Sequence, residues 1–187
     1  MKVLVACEFS GIVREAFKAK GHDAWSCDLL PTEIPGQHIQ GDVLEILDQG
    51  WDLMIAHPEC TRLCNSGVRW LHERNLWGDM DEAAKFFLKL KNANIPKIAL
   101  ENPIPHKYAL AIIGEKYTQI IHPSQFGHAE SKATCLWLKN LQKLKPTKII
   151  TEGIIHRVHL EPPGPERHKN RSRSLLGIGS AMANQWG

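Results

Sequence analysis

The residues of this sequence most able to do covalent chemistry are a cysteine and the histidines near it. Cys60 lies in Ala56-His57-Pro58-Glu59-Cys60, directly after an apolar run and a proline. A thiolate in such a loop is a nucleophile when its surroundings activate it. A buried structural cysteine is the commoner role for any single cysteine. The assignment of Cys60 as a nucleophile therefore needs support from other segments.

A carboxylate provides that support. Glu101 stands in Ile98-Ala99-Leu100-Glu101-Asn102-Pro103, straight after a second apolar run. Beside a bound pyrimidine, a carboxyl group can bind an exocyclic amino group and a ring nitrogen. If its pKa is raised, the protonated group can also stabilise charge at N3 while a bond forms at C6 of cytosine. The simpler alternative is an acid at a strand end that caps the next turn.

Three features near the N-terminus suit a nucleotide-like ligand. Phe9-Ser10-Gly11 forms a turn between a predicted strand and a predicted helix, and glycine lets a ligand approach the backbone. Asp28 follows the second strand, where an acid accepts hydrogen bonds from ribose hydroxyls. Asp42 could meet an adenine amino group. Taken singly, the glycine is explained by turn geometry and each aspartate by a helix cap.

The cysteines and histidines also raise two other classes of site. The spacing of Cys60, Cys64, His57 and His72 matches no common zinc pattern, so we expect no metal. A cysteine hydrolase would need a histidine base near Cys60, which His57 or His72 could provide. That hypothesis leaves the Glu101 segment unexplained and ranks last.

Strands and helices alternate along the chain, and the polar residues above follow the strands. The predicted strands are Lys2–Ala6, Asp23–Cys27, Trp51–Ala56, Lys97–Leu100, Tyr117–His122 and Thr134–Leu138. The predicted helices are Gly11–Lys20, Asp42–Leu47, Asp81–Asn92 and a closing helix over Gly177–Trp186. This alternation predicts an α/β fold, a mostly parallel sheet with helices on both faces. Ligands of such sheets bind beyond the carboxyl ends of the strands, where these polar residues should meet.

Composition narrows the class of protein. The chain has 187 residues, of which 43% are hydrophobic and 23% charged, which fits one soluble domain. The five cysteines are an odd number and lack the spacing of a small secreted scaffold, so we expect free thiols. Free thiols indicate a reducing compartment, here a bacterial or phage-infected host cytoplasm. We expect no membrane partner. The net charge is only +3, but the run Arg167–Arg173 is basic and suits phosphate contact.

In their order, these segments resemble the cytosine-C5 DNA methyltransferase family, and most of all its short phage and prophage members. The segment ending at Cys60 is similar to the family's Asp-strand-Pro-Pro-Cys motif, and Leu100–Pro103 is similar to Leu-Glu-Asn-Val. Gln125–Thr134 resembles Tyr-Gly-Val-Pro-Gln-x-Arg-x-Arg, with Lys132 and Thr134 at the arginine positions. The resemblance implies that Cys60 is the nucleophile, that Glu101 holds the cytosine ring, and that Lys132 and Thr134 lie near the cytosine O2 and the thiolate.

The same resemblance implies S-adenosylmethionine as the cofactor, on a Rossmann-like fold. Cys7–Gly11 resembles the family's turn Asp-Leu-Phe-x-Gly-x-Gly, with Cys7 in place of the acid and Val13 in place of the second glycine. The implied cofactor contacts are Phe9, Ser10, Gly11, Asp28, Asp42, His57, Pro58 and Ala181, the last in a terminal segment that folds back beside the cofactor. The expected substrate contacts are Asn102, Arg171 and Arg173.

One departure from the family is large. Its members normally carry a target-recognition domain before the terminal segment, whereas here that interval is the proline-rich stretch Leu141–Arg173. We therefore expect one catalytic domain over residues 1–187, with this stretch as a loop-rich connection. The substrate would be DNA with relaxed specificity, a single strand, DNA presented by a protein partner or within a homodimer, or a free cytosine nucleotide. A degenerate protein that binds S-adenosylmethionine or nucleic acid without turnover is the alternative.

Overall fold

In the computed structural model, residues 1–187 are described, apart from the side chain of His159. The centre is a seven-stranded sheet with the strand order β3-β2-β1-β4-β5-β7-β6. The strands are β1 (Lys2–Ala6), β2 (Asp23–Asp28), β3 (His38–Gln40), β4 (Leu53–Ala56), β5 (Lys97–Pro103), β6 (Gln119–Ile121) and β7 (Thr134–Lys139). Strands β1 to β5 pair in parallel, whereas β7 runs antiparallel to both β5 and β6.

Helices cover both faces of this sheet. They are α1 (Ile12–Lys18), α2 (Val68–Glu73), α3 (Trp77–Lys91), α4 (Lys107–Ile113), α5 (Arg157–Leu160), α6 (Arg167–Ser172) and α7 (Leu176–Trp186). Side chains of α1 and α7 pack on one face, and those of α2, α3 and α4 pack on the other. The predicted Rossmann-like α/β architecture, a mostly parallel sheet with helices on both faces, is confirmed.

The core follows from the two-residue period of the strands. In β1, Val3 and Val5 join the cluster beneath α1 and α7, while Leu4 and Ala6 join the cluster beneath α3. Because helices cover both faces, a central strand must be apolar at every position, and all four of these side chains are fully buried. This explains why the central strands were visible in the sequence as continuous apolar runs.

Short and polar elements were missed or misjudged. The sequence analysis did not predict β3, α2 or α4. The expected helix Asp42–Leu47 is wrong in type and length, because only a 3₁₀ turn over Val43–Glu45 forms there. The stretch Leu141–Arg173 is loop-rich as predicted, with only the short α5 and α6 in it. No helix in the described part of the chain is long and apolar enough to cross a membrane.

Arg14 is fully buried and fastens one loop to the sheet edge. Its guanidinium donates to Ser26 Oγ at 2.9 Å, to Thr32 Oγ1 at 3.2 Å and to the Ile34 carbonyl, and its Nε pairs with Glu15 at 2.9 Å. A buried charge is tolerated only with such partners. The loop between β2 and β3 is therefore held against the turn that follows β1.

The close packing of α7 against the backbone of Phe126 can be tested at Gly177. A Cβ at Gly177 would overlap the backbone carbonyl oxygen of Phe126, so Gly177→Ala should lower the free energy of unfolding by about 1–3 kcal/mol. Gly78→Ala in α3 is the matched control, because a Cβ there meets nothing within 4 Å. We expect it to leave stability unchanged or raise it by up to about 1 kcal/mol in urea unfolding. Equal effects of the two substitutions would contradict this description of α7.

Candidate active site

A cavity of about 660 Å³ lies at the carboxyl ends of β4 and β5. Its wall includes Cys60, Glu101, Lys132 and Thr134, the four residues predicted to be catalytic. The antiparallel direction of β7 explains why the last two are present, since it places Thr134 opposite Pro103 at the end of β5. The structure thus brings three distant chain segments together, and the roles of these residues stay predictions.

The loop that carries Cys60 is held by backbone hydrogen bonds. His57 N donates to the Ala6 carbonyl at 3.0 Å, which continues the sheet one residue beyond β4. Leu63 N and Cys64 N both donate to the Cys60 carbonyl at 3.0 Å and close a tight turn. Asn65 N then donates to the Ile104 carbonyl at 2.9 Å. One end of the loop is therefore bonded to the end of β1. The other end is bonded to the residue after β5, the strand that carries Glu101.

Four ionisable side chains form a row along this edge, which we call the charge chain: Glu8, His57, Glu101 and Lys132. His57 Nδ1 donates to Glu101 Oε2 at 2.7 Å, and Lys132 Nζ lies 3.7 Å from Glu101 Oε1. Beyond His57, the charge of the buried Glu8 also acts on the imidazole. His57, Glu101 and Lys132 line the cavity, whereas Glu8 is buried outside its lining.

The charge chain sets the protonation of Glu101. Burial alone would raise the pKa of this carboxyl group, but the Lys132 ammonium and the hydrogen bond from His57 outweigh burial and lower the pKa to about 2. Glu101 is therefore ionised at neutral pH. The raised pKa that would let Glu101 itself donate a proton is thus not found, because His57 and Lys132 lie beside the carboxyl group.

The negative charges around His57 shift its pKa in the opposite direction. Burial lowers the pKa of this imidazole, but the hydrogen bond to Glu101 and the negative charges of Glu101 and Glu8 raise it above its usual value. His57 Nε2 is buried and has no hydrogen-bond partner among the described residues. An imidazolium with one free N–H can donate a second hydrogen bond, to a ligand in the cavity.

Cys60 and Cys64 act as a coupled pair of thiols, and all five cysteines of the chain are free. A hydrogen bond to Cys64 raises the pKa of Cys60, and burial raises it further. The Cys60 S–H, the Ser66 hydroxyl at 3.1 Å and the backbone N–H groups of Ser66 and Gly67 together lower the pKa of Cys64 to about 5. The first proton is therefore lost from this pair at a lower pH than from an isolated thiol.

The glycine turn after β1 is held by Glu8, which the sequence analysis did not single out. Glu8 Oε1 accepts from Ser10 Oγ at 2.6 Å and from Val13 N at 3.1 Å, while Glu8 Oε2 is buried without a partner in the described structure. Phe9 and Ser10 are themselves buried. Gly11 has φ of +75°, and a Cβ there would come within 2.8 Å of Arg14 Nη2. The glycine is thus required both by its backbone conformation and by close contact.

The predicted ribose and adenine contacts lie beside Cys7. Burial raises the pKa of the Cys7 thiol, and the charges of Asp28 and Asp42 raise it further, so the three groups are near neighbours. Asp28 accepts from Leu30 N, and Asp42 accepts from Leu44 N as the N-cap of its 3₁₀ turn. The capping alternative is therefore seen for Asp42. Their roles toward a cofactor stay predictions.

Two predicted contacts are inside the protein. Ala181 is 1% exposed and packs between α7 and α1, so its side chain is covered. Asn102 is also 1% exposed, and its Nδ2 donates to the Pro103 carbonyl at 2.6 Å. Its Oδ1 has no partner in the described part of the chain. Of the two, only Asn102 therefore keeps an unused polar atom.

The basic segment Arg167–Arg173 forms the facing wall of the cavity. Arg173 is held in a two-point ion pair with Glu33, Nε to Oε2 and Nη2 to Oε1, both at 2.8 Å. Lys169 lies 3.2 Å from the same carboxylate. Arg171 lines the cavity, and its buried Nε has no partner among the residues described. The predicted substrate contacts thus differ, since Arg173 fastens the segment and Arg171 keeps a free N–H.

A metal site and a cysteine hydrolase would use the same cysteines and histidines. Within the described residues, no group of three or more His, Cys, Asp or Glu side chains is arranged to hold a metal ion. His72 stacks on Trp77 and Tyr108, with ring centres 4.9 and 5.7 Å apart. His57 is engaged by Glu101. His72 is therefore engaged by aromatic contacts, whereas His57 keeps an unpartnered Nε2 among the described residues.

No protein-family model matches the chain, and no curated protein matches it in sequence. Among solved structures, the chain is similar to a prophage-encoded candidate DNA modification methyltransferase from E. coli, with 14% identity, 79% of this chain and 51% of that chain covered, and a TM-score of 0.48. It is also similar to the Entamoeba histolytica methyltransferase EhMeth, with 17% identity, 80% and 58% of the two chains covered, and a TM-score of 0.44. The chain thus spans about half the length of these proteins.

The ionised state of Glu101 makes stability depend on pH. A carboxyl group with a lowered pKa in the folded state contributes stability that is present above its unfolded pKa of about 4.5 and is lost as the pH falls through about 2. The difference in unfolding free energy between wild type and Glu101→Gln should therefore shrink by on the order of 1–3 kcal/mol from pH 5 to pH 2 in urea titrations. Glu152→Gln, at an exposed position that makes no ion pair with any described residue, is the control and should follow the wild type.

The thiol pair predicts an unusual alkylation profile. The rate at which iodoacetamide modifies Cys64 should rise with a midpoint near pH 5, because its pKa is lowered to about 5. Cys60→Ala removes the S–H donor and should raise this midpoint toward 9. Peptide mapping by mass spectrometry follows each thiol separately. If both thiols titrate near 9 in the wild type, the described coupling is wrong.

Proposed function

We propose that this protein transfers a methyl group from S-adenosylmethionine to C5 of cytosine in DNA, with relaxed or partner-dependent sequence specificity. One observation carries the proposal: three kinds of group meet in one cavity wall. They are the thiols of Cys60 and Cys64, the ionised carboxylate of Glu101 and the ammonium group of Lys132. These are the groups that nucleophilic addition to a pyrimidine ring requires.

The residues at the ends of β1 and β2 fit S-adenosylmethionine. Asp28 and Asp42 beside Cys7 offer acceptors for hydroxyl and amino groups, and the unpartnered Oε2 of the buried Glu8 offers one for a cationic group. Gly11 leaves the backbone uncovered by a Cβ. The cofactor would supply an electrophilic methyl group. Of the predicted cofactor contacts, His57 and Pro58 line the cavity of about 660 Å³, whereas the lining does not include Phe9, Ser10, Gly11, Asp28, Asp42 and Ala181.

Cys60 is the nucleophile in this proposal. Its S–H bond is directed at Cys64, and the two sulfurs together lose one proton more readily than an isolated thiol does, so that the proton that remains can lie on either sulfur. When the Cys60 proton passes to Cys64, the Cys60 thiolate can form a bond to C6 of cytosine. The charge of Lys132 favours this step, because it lowers the pKa of Cys60 against the effect of burial. Lys132 therefore supports both the thiolate and Glu101.

In this proposal, the charge chain binds the cytosine ring and supplies a proton to it. Glu101 as a carboxylate accepts a hydrogen bond from the exocyclic amine of cytosine. Addition at C6 places negative charge on N3, and the proton that neutralises it comes from His57 through Glu101 Oε2, 2.7 Å away. C5 then takes the methyl group. Loss of the C5 proton to solvent water expels the Cys60 thiolate, and N3 returns its proton through Glu101 to His57. This route keeps the required proton in the site although Glu101 itself is ionised.

A free cytosine nucleotide is a second candidate substrate, favoured by Arg171. Its unpartnered Nε lies at the cavity, and Ser172 and Ser174 line the same wall. Guanidinium and hydroxyl groups together suit a phosphate. A single nucleotide would also need no base flipping, which costs a few kcal/mol in a duplex.

A degenerate binding protein is the candidate from another class. Cys7 and Val13 replace two residues of the family's cofactor turn, and Val13 is packed against Gly179 of α7. Lys132 and Thr134 also stand where the family has arginines, and Lys lacks the planar fork of Arg. Calorimetric titration with S-adenosylmethionine followed by a transfer assay separates binding from turnover.

The transfer assay uses labelled S-adenosylmethionine with single-stranded DNA, duplex DNA and dCMP, followed by digestion to nucleosides. We expect label in 5-methylcytosine for the wild type and none for Cys60→Ser, because the bond to C6 cannot form. Glu101→Gln should be slower by about 10²–10⁴-fold, since the proton route is broken. Cys135→Ala, at a buried thiol of β7 away from the cavity, is the control that should retain transfer. If the wild-type protein binds the cofactor but labels none of the three substrates, the proposed methyl-transfer activity is wrong.

A further inference from the structure

A tryptophan held by two arginines lies at the rim of the cavity. The guanidinium carbons of Arg69 and Arg74 lie over the indole of Trp70, at 4.4 and 4.1 Å from the ring centre. Trp70 is half-buried and lines the cavity wall, whereas both arginines are exposed. We call these three side chains the Trp70 platform.

The platform is held rigidly from behind. Leu71, the next residue of α2, is fully buried in the core. Arg74 N donates to the Trp70 carbonyl at 3.0 Å, which fixes the end of the helix. Before the helix, a Cβ at Gly67 would overlap the Thr61 carbonyl, so this turn lies directly on the Cys60 loop. The position of the platform relative to the nucleophile is therefore set by backbone contacts.

The wall is continuous from the nucleophile to the platform. The residues of this wall are Cys60, Thr61, Cys64, Asn65, Ser66, Gly67 and Trp70. Arg171, with its free N–H, stands on the wall that faces them. A chain that places one base at Cys60 therefore meets an aromatic ring on one side and cations on both sides.

The two arginines of the platform remain available to anions. Arg69 Nε lies 3.3 Å from Glu73 Oε1, an exposed pair whose interaction is weak and screened by salt. Arg74 makes no ion pair with any residue that the structure describes. Guanidinium planes stack on aromatic faces, so a base can extend the same stack while phosphates meet the outer N–H groups.

We propose that the Trp70 platform binds single-stranded DNA next to the catalytic cavity, with the base beside the target stacked on the ring and its phosphates on Arg69 and Arg74. This deepens the proposed function and rests on it for the identity of the target base. An aromatic ring with flanking cations is the general means by which proteins hold single strands without reading their sequence.

The size of the platform favours a single strand over a duplex. A cytosine must leave the base stack to enter the cavity, and in a duplex it must also lose its pairing partner. One ring and two cations offer little contact to offset that loss. In a single strand the target base is already unpaired, so the same contacts give net binding.

The test measures binding of a fluorescent thymidine 12-mer and of a matched duplex by anisotropy. The thymidine probe carries no target base, so binding does not depend on methyl transfer. We expect the single strand to bind at least about ten times more tightly than the duplex. Trp70→Ala should weaken it about 5- to 100-fold and Trp70→Phe much less, because a ring remains for stacking.

A charge variant keeps the test decisive if Trp70→Ala fails to fold. Arg69→Gln/Arg74→Gln should reduce the slope of log affinity against log salt by about 0.7 for each cation removed. Lys85→Gln/Lys89→Gln, on the exposed face of α3, is the matched control and should leave affinity and slope near wild type. Equal affinity for duplex and single strand, or an arginine variant that binds as the wild type does, would overturn the proposal even if dCMP is methylated. Tight platform-dependent binding without any methyl transfer would uphold it while the proposed reaction fails.

Discussion

The carboxylate of Glu101 lies between an imidazole and an ammonium group, and the chemistry of the cavity depends on that arrangement. Burying an ionised carboxylate without partners costs several kcal/mol. His57 after β4 and Lys132 before β7 are both needed to offset this cost. Lys132 can reach Glu101 only because β7 runs antiparallel to β5. Strand direction, a feature of the whole sheet, thus determines the protonation of one carboxyl group in the cavity.

Much of the fold could be predicted from sequence because the central strands are covered on both faces. Complete burial makes β1 and β4 continuous apolar runs, and such runs are easy to recognise. The edge strand β3 is three residues long and half polar, so its pairing depends on β2 and leaves no local pattern. Helix α2 was missed for a similar reason, since of its residues only Leu71 is fully buried.

That Cys60 and Glu101 lie in one cavity could be predicted from sequence, whereas the electrostatics of the cavity could not. Cys60 and Glu101 each follow an apolar strand, and parallel strands end at one edge, so their meeting follows from sequence order. The pairing of Cys60 with Cys64 and the burial of Glu8 depend on turns whose backbone hydrogen bonds no spacing reveals. The pKa values depend on those contacts. Sequence patterns therefore identify the reacting groups more readily than their protonation.

The central claim is that Cys60 adds to C6 of a cytosine held by Glu101. It is tested most directly with single-stranded DNA that carries one 5-fluorocytosine, incubated with the protein and S-adenosylmethionine. Because fluorine at C5 cannot leave as a proton does, the addition product should persist as a covalent complex. We predict a protein–DNA adduct in intact mass spectrometry that maps to Cys60. An adduct on Cys64 instead, or none when the DNA and the cofactor are both bound, would contradict the account.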